Sequence, residues 1–329
     1  MSWKTFPKLE LHLHIEGAAP PKFIRGLAQE KSINLDRVFD ERGAYAYRDF
    51  PEFLKVYEAA TQVLKTPRDY QRLTRAVLEN CAENGVIYAE TFISPDFCGG
   101  RDLGAWREYL HAIQEIAAEV EAELGIILRG IVTCIRHFGP EKAKETAICA
   151  AETAGDWIVG FGMGGDETIL RQGDYAWAFD CAREAGLRLT THAGEWGGPD
   201  AIRQAIDDLR VDRIGHGVRA IEDPRLVDIL AEREIVLEIC PGSNVALGLY
   251  RNFAAHPIAR LRDAGVKVTV STDDPPFFHT TMGREYEELE RAFGWGAEDF
   301  AALNDTALGA AFCDPATRES LKKRLETYA

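Results

Sequence analysis

Along the chain, short apolar runs rich in β-branched residues alternate with longer stretches whose apolar positions recur every three or four residues. The first run is 8–14 (KLELHLH), followed by 86–94 (VIYAETFIS), 126–135 (IILRGIVTCI) and 157–162 (WIVGFG). Four more lie at 187–192 (LRLTTH), 213–216 (RIGH), 235–240 (IVLEIC) and 266–272 (VKVTVST). Helical patterns fill the intervals at 102–123, 140–154, 172–185, 199–209, 223–233 and 255–264. Parallel strands need long crossovers, which helices supply, so this alternation predicts an α/β fold with a parallel sheet. Eight strands predict closure of that sheet into a (β/α)8 TIM barrel.

Two regions exceed the repeat. Residues 18–85 separate the first two strands and carry helical patterns at 20–30, 50–64 and 67–83. They are read as a helical insertion at the top of the barrel that could serve as a lid, the alternative being helices packed on its side. After the eighth strand, 284–293, 297–309 and 315–328 read as extra C-terminal helices closing the fold. No linker or low-complexity segment interrupts the pattern, so residues 1–329 are expected to form one barrel domain.

Composition narrows the partners. With 38 basic and 53 acidic residues the net charge is −15, which disfavours nucleic acid and anionic membranes, since both select a positive surface. Seven cysteines are scattered without a CxxC pair, the usage expected of a reducing, cytoplasmic setting. The first residues, MSWKTFP, lack an apolar signal-peptide run, and no segment reaches the length of a membrane span. A small-molecule substrate fits this balance; nothing in it sets an oligomeric state.

In 10–17 (ELHLHIEG), alternation places Glu10, His12, His14 and Glu16 on one strand face and Leu9, Leu11, Leu13 and Ile15 on the other. One face is apolar and the other wholly ionisable, whereas an ordinary half-exposed strand carries mixed polar residues. Catalytic groups of (β/α)8 barrels gather at the C-terminal ends of the strands, and that rule can be applied to the sequence directly. The first strand ends in His12-Leu13-His14 and the fourth runs into Gly164-Gly165-Asp166-Glu167. The fifth ends in Thr191-His192-Ala193-Gly194-Glu195, the sixth in Gly215-His216-Gly217 and the eighth in Ser271-Thr272-Asp273-Asp274. Several strand ends thus deliver His or Asp to one rim. Three imidazoles and a carboxylate suit Zn2+, so His12, His14, His192 and Asp273 are the expected ligands of one zinc ion. Glu195 and His216 then remain to handle protons beside it. Glu10, deeper on the inner face, is read as structural.

The segments PKLELHLHIEG (7–17), GDE (165–167), THAGE (191–195), RIGHG (213–217), CPGSN (240–244) and STDDP (271–275) together resemble the adenosine/adenine deaminase family of zinc hydrolases over nearly the whole chain. The H-x-E and P-C-x-x-C signature of the unrelated zinc deaminases is missing. The resemblance implies hydrolytic removal of the 6-amino group of a purine as ammonia, by attack of zinc-activated water on C6. It assigns zinc to the four ligands named above and protonation of purine N1 to Glu195. It also gives orientation of the attacking oxygen and a part in its deprotonation to His216, contact with N7 to Asp274 and contact with N3 to the Gly165 backbone N–H, with His14 also facing the substrate.

Glu16 and the GDE segment point to different purines. Members of the family acting on adenosine typically carry Asp at the position of Glu16, where it meets the ribose 5′-hydroxyl, and the adenine branch tends to carry Glu. Against this, Gly164-Gly165-Asp166-Glu167 and the stretch from His192 to Asp200 resemble the adenosine branch. The expected substrate is therefore adenosine and 2′-deoxyadenosine, with adenine or a modified adenine nucleoside as the alternative. A dinuclear amidohydrolase would commonly carry a metal-bridging lysine at the end of the fourth strand, and residues 157–167 contain none. A non-catalytic binder on the same fold would be expected to lose Glu195, His216 or a ligand, and all are present. Elsewhere, His111 is read as exposed, His256 as a helix start, His137 as lying near the rim at the end of the third strand with a supporting role behind the site as the alternative, and His279 carries no assignment. Phe50, Phe53 and Tyr57 have helical spacing that suits either core or a wall over the purine.

Overall fold

The computed structural model describes residues 2–327. Eight strands run in the parallel order β1 to β8: β1 (Lys8–His14), β2 (Val86–Ile93), β3 (Ile127–Ile135), β4 (Ile158–Gly164), β5 (Arg188–Ala193), β6 (Arg213–His216), β7 (Val236–Ile239) and β8 (Val268–Val270). The barrel closes just past β8. There the His14 N–H donates to the Asp273 carbonyl at 3.0 Å, and the Asp273 N–H donates to the His12 carbonyl at 3.1 Å. Closure therefore sets a predicted ligand of β1 beside one that follows β8. The register does the same on the far side, pairing His192 of β5 with Gly215 and Ala193 with His216 of β6.

Between β1 and β2 lie α1 (Pro21–Glu30), α2 (Phe50–Thr61) and α3 (Pro67–Glu83). The last shows why these segments are helical. Thr66 and Asp69 form a reciprocal capping box with Pro67 in the first turn, and Tyr70, Leu73, Thr74, Val77, Leu78 and Cys81 are buried at three- and four-residue intervals. The crossovers are α4 (Leu103–Leu124), α5 (Pro140–Ala151), α6 (Ala176–Glu184), α7 (Pro199–Gln204) and α8 (Pro224–Glu232). After β7 come α9 (Pro241–Ala246) and α10 (Ile258–Asp263), and after β8 come α11 (Met282–Phe293), α12 (Ala297–Ala310) and α13 (Pro315–Glu326). Tyr328, the end of the expected closing helix, lies outside the described residues. None of the described helices is long and apolar enough to cross a membrane.

Element bounds depart from the sequence pattern where tight turns intervene. The eighth strand was expected over 266–272 but spans 268–270; just past its end Asp273, with a left-handed φ of 66°, bridges back to Leu13 of β1. The expected helix 172–185 begins as a tight 3-10 turn, and 199–209 ends in a wide π turn over 205–209. Glu16 does not share the strand face of His12 and His14, since β1 ends at His14 and Glu16 stands in the following turn.

Both faces of β1 are buried. Leu9 and Leu11 pack outward against Ala307, Leu308 and Leu321 of α12 and α13. The interior below the rim is ionic rather than aliphatic. Arg213 reaches Glu90 at 2.6 Å and Glu238 at 2.5 Å, all within the closed barrel. A charge this deep holds its place only when paired and hydrogen-bonded, as these are. Above the rim, the region between β1 and β2 is bound by aromatic contacts. Tyr45 stacks on Phe277 at 3.8 Å, Phe53 meets Phe277 and Phe278, and Phe50 stacks on Trp196.

Candidate active site

The structure brings His12, His14, His192 and Asp273 together into one group able to hold a metal ion. His192 Nε2 lies 3.1 Å from His12 Nε2 and 3.2 Å from His14 Nε2. Asp273 Oδ1 lies 3.4 Å and 3.2 Å from the same two nitrogens. Imidazole lone pairs converging this closely repel one another unless a cation lies between them. Donors about 3.2 Å apart are spaced as two ligands about 2.0 Å from a shared zinc ion would be.

Outer partners aim these donors. His12 Nδ1 is 2.8 Å from Glu238 Oε2, and His192 Nδ1 donates to the Met163 carbonyl at 2.8 Å, so Nε2 of each ring keeps its lone pair for the centre. Ser243 donates to Asp273 Oδ2 at 2.7 Å, leaving Oδ1 toward the imidazoles. Burial lowers the pKa of His14, and burial with the neighbouring imidazoles holds that of His192 well below the ordinary value. Both imidazoles are therefore neutral at neutral pH, with a lone pair free for a cation. For His12 burial is outweighed by the hydrogen bonds and charges of Asp273 and Glu238, which raise its pKa to about 9. The same carboxylates favour a metal cation in place of that proton.

Glu195 and His216 stand beside this group. Burial, and then the charges of Asp273 and Glu167, hold the Glu195 carboxyl well above the usual range, so it keeps its proton. Its backbone is fixed by Glu167, whose carboxylate accepts the N–H groups of Gly194, Glu195 (3.0 Å) and Trp196 (2.8 Å). His216, pushed down to about 3 by burial, is neutral. Its φ of 60° and that of Asp273 are left-handed, a conformation that costs non-glycine residues energy and clusters at functional sites. Among the described residues His216 Nε2 and Asp274 Oδ1 are buried without a hydrogen-bond partner, and both residues line the same pocket.

That pocket encloses about 620 Å³ including its mouth. Phe50, Phe53 and Tyr57 of α2 wall one side, so their helical spacing marks a pocket wall as well as core. Gly165 lines the opposite side with φ at +102°, and a Cβ there would come within 2.7 Å of His137 Nδ1; glycine alone fits. His137 also lines the pocket, its Nε2 3.0 Å from Glu58 Oε1. His111 and His279 are exposed and away from the site. Glu16 is buried beneath Tyr57, accepting from Tyr70 Oη at 2.9 Å and Tyr57 Oη at 3.3 Å. Burial raises its pKa to about 7 against the lowering effect of these bonds.

Several residues that support the site had no assignment from sequence. Glu238 is a lone acid inside an apolar strand, a usable signal, whereas Glu58 has none. Ser243 and Asn244 belong to a recognised segment, yet only the fold shows what they touch. His256, read as a helix start, is buried with Nε2 3.1 Å from Asn244 Oδ1.

The family model described as adenosine deaminase matches residues 7–328. The chain is 48% identical to an adenine deaminase of Rhizobium rhizogenes, over 97% of this chain and 98% of that protein. It is 46% identical to an adenine deaminase of Agrobacterium fabrum, covering 97% of each. The crystal structure of an adenine deaminase from Arthrobacter aurescens superposes with a TM-score of 0.90 at 31% identity, covering 98% of this chain and 99% of that one. An amidohydrolase from Burkholderia ambifaria, solved with bound Zn, superposes at 0.87 and 26% identity, covering 99% and 91%. These matches overturn the expectation of adenosine and 2′-deoxyadenosine as substrates. The physical reason lies in the two features that conflicted. Glu167 of the GDE segment spends its carboxylate on the 194–196 backbone and so reports a loop anchor, not a sugar site. Glu16 already accepts from two tyrosine hydroxyls, Tyr57 and Tyr70.

Proposed function

Because the chain belongs to the adenosine deaminase family of aminohydrolases, we propose that it hydrolyses adenine to hypoxanthine and ammonia. The observation that carries this reading is the end-to-end similarity to proteins named adenine deaminase, at 43–48% identity. The tyrosine-bound Glu16 agrees with a free base as substrate. Zinc is the proposed metal, supported by the donor set of His12, His14, His192 and Asp273, by its spacing and by the zinc-bound relative. When bound, zinc supplies a water activated for attack at neutral pH.

The chain's own residues then divide the work. Glu195, kept protonated by burial and neighbouring acids, donates to purine N1 and so draws electrons from C6. His216 turns its free Nε2 to the reacting oxygen. Asp274, a pocket-lining carboxyl, accepts or shares a proton at N7, and the Gly165 N–H meets N3. The water oxygen adds to C6, one of its protons restores the Glu195 acid, the other passes to the amino nitrogen, ammonia leaves, and C6 becomes a carbonyl. The aromatic wall from α2 excludes bulk water from this exchange. On this reading segment 18–85 acts as the lid.

The test is a side-by-side kcat/KM measurement with adenine and adenosine. Adenine is expected to be preferred by about 100-fold or more, the discrimination available to a site whose polar groups fit only one ligand. Equal or better turnover of adenosine would contradict the proposal.

A further inference from the structure

Glu195 and His216 share a buried neighbour that touches both. Asn244 Nδ2 is 3.0 Å from Glu195 Oε1 and 3.3 Å from His216 Nδ1. On its other side Asn244 Oδ1 is 3.1 Å from His256 Nε2. His256 Nδ1 in turn accepts the backbone N–H of Ile258 at 3.1 Å. All four side chains are buried.

Valence fixes the direction of each bond. A backbone N–H can only donate, so Nδ1 is the acceptor nitrogen of His256. Burial lowers the pKa of His256 to about 3, so the neutral ring carries its hydrogen on Nε2. That N–H meets Asn244, which must present its oxygen there and its two N–H bonds opposite. One N–H goes to Glu195 Oε1 and the other to His216 Nδ1. Both of those atoms are therefore acceptors. The hydrogen of neutral His216 is left on Nε2, the atom without a partner, and the acid proton of Glu195 is left on Oε2.

We infer that Asn244 and His256 are positioning residues for the deamination proposed above, on which this role rests. The chain Ile258–His256–Asn244 holds His216 in its Nε2–H tautomer, so that His216 meets the reacting oxygen as a hydrogen-bond donor rather than as a base. The same amide directs the Glu195 proton to the one oxygen it does not occupy. Fixed donors of this kind act where charge develops on the reacting oxygen, without reorganisation during the step.

The experiment is a long-range 1H–15N correlation spectrum of the zinc-loaded, substrate-free chain with 15N-labelled histidine, in which His216→Gln identifies the resonances. The expected spectrum shows His216 protonated at Nε2 and bare at Nδ1; a hydrogen on Nδ1 would overturn the inference. His256→Phe is expected to mix the His216 tautomers and to lower kcat on adenine by about 100-fold, the scale of one lost oxyanion donor, with KM changed by less than about threefold. His256→Gln, which retains an amide N–H donor, should keep the wild-type tautomer and most of the turnover. An unchanged tautomer and kcat in His256→Phe would show that the chain positions nothing. The spectrum needs no substrate. If adenine is not turned over yet His216 is Nε2–H, the substrate reading fails and the tautomer assignment stands.

Discussion

Glu195→Gln preserves the shape of the side chain and an oxygen for Asn244, but leaves no acid proton for N1. Metal content should be unchanged while kcat on adenine falls about 10²- to 10⁴-fold, the usual share of a general acid. Near-normal kcat in this variant would remove Glu195 from its role. Glu16→Asp withdraws the carboxylate from Tyr57 and Tyr70 by one methylene. The adenine-to-adenosine ratio of kcat/KM should then fall, and an unchanged ratio would show that Glu16 does not set the preference. At this scale the metal group was legible because two ligands stand two residues apart on a strand and the others end strands within short, chemically distinctive segments. Asn244 and His256 were not, because each acts only through a neighbour that the fold brings to it.

Among the elements, α11 is joined to the first turn of α9 by a buried carboxyl. Glu285 accepts from Thr280 Oγ1 and from the Gly242 N–H at 3.0 Å, and burial raises its pKa from 4.5 to about 8. The folded state therefore holds a proton that the unfolded chain releases above about pH 4.5. This contribution to stability is fully present below that pH and is lost as the pH rises through about 8. Glu285→Gln should flatten the fall in denaturation midpoint between pH 5 and 8 relative to wild type, about in proportion to the proton no longer bound. A parallel pH profile for the two proteins would contradict it. The order of the strands and of the main crossover helices was legible, because parallel strands buried on both faces and amphipathic crossovers have different periods. The turns were not: Asp273 takes a left-handed φ just past β8, and α9 arises within a segment whose proline and glycine suggest a loop.

For the whole molecule, aromatic contacts across the pocket mouth tie the region between β1 and β2 to the loops after β5 and β8. If that region closes over the ligand, hypoxanthine should slow amide hydrogen exchange in residues 50–61 by about tenfold or more, following the occupancy of the site. Exchange there that ignores the ligand would contradict a lid. The substrate was the least legible property, because Glu167 resembles a sugar-branch marker in sequence and serves as a loop anchor in space. Metal-dependent deamination of the free base is the central claim, and it can be tested by removing the metal with a chelator and returning zinc while following adenine conversion. Activity should vanish on removal and return in proportion to added zinc, saturating at about one ion per chain. Undiminished activity in the metal-free chain, or no hypoxanthine from adenine at full zinc occupancy, would contradict the claim.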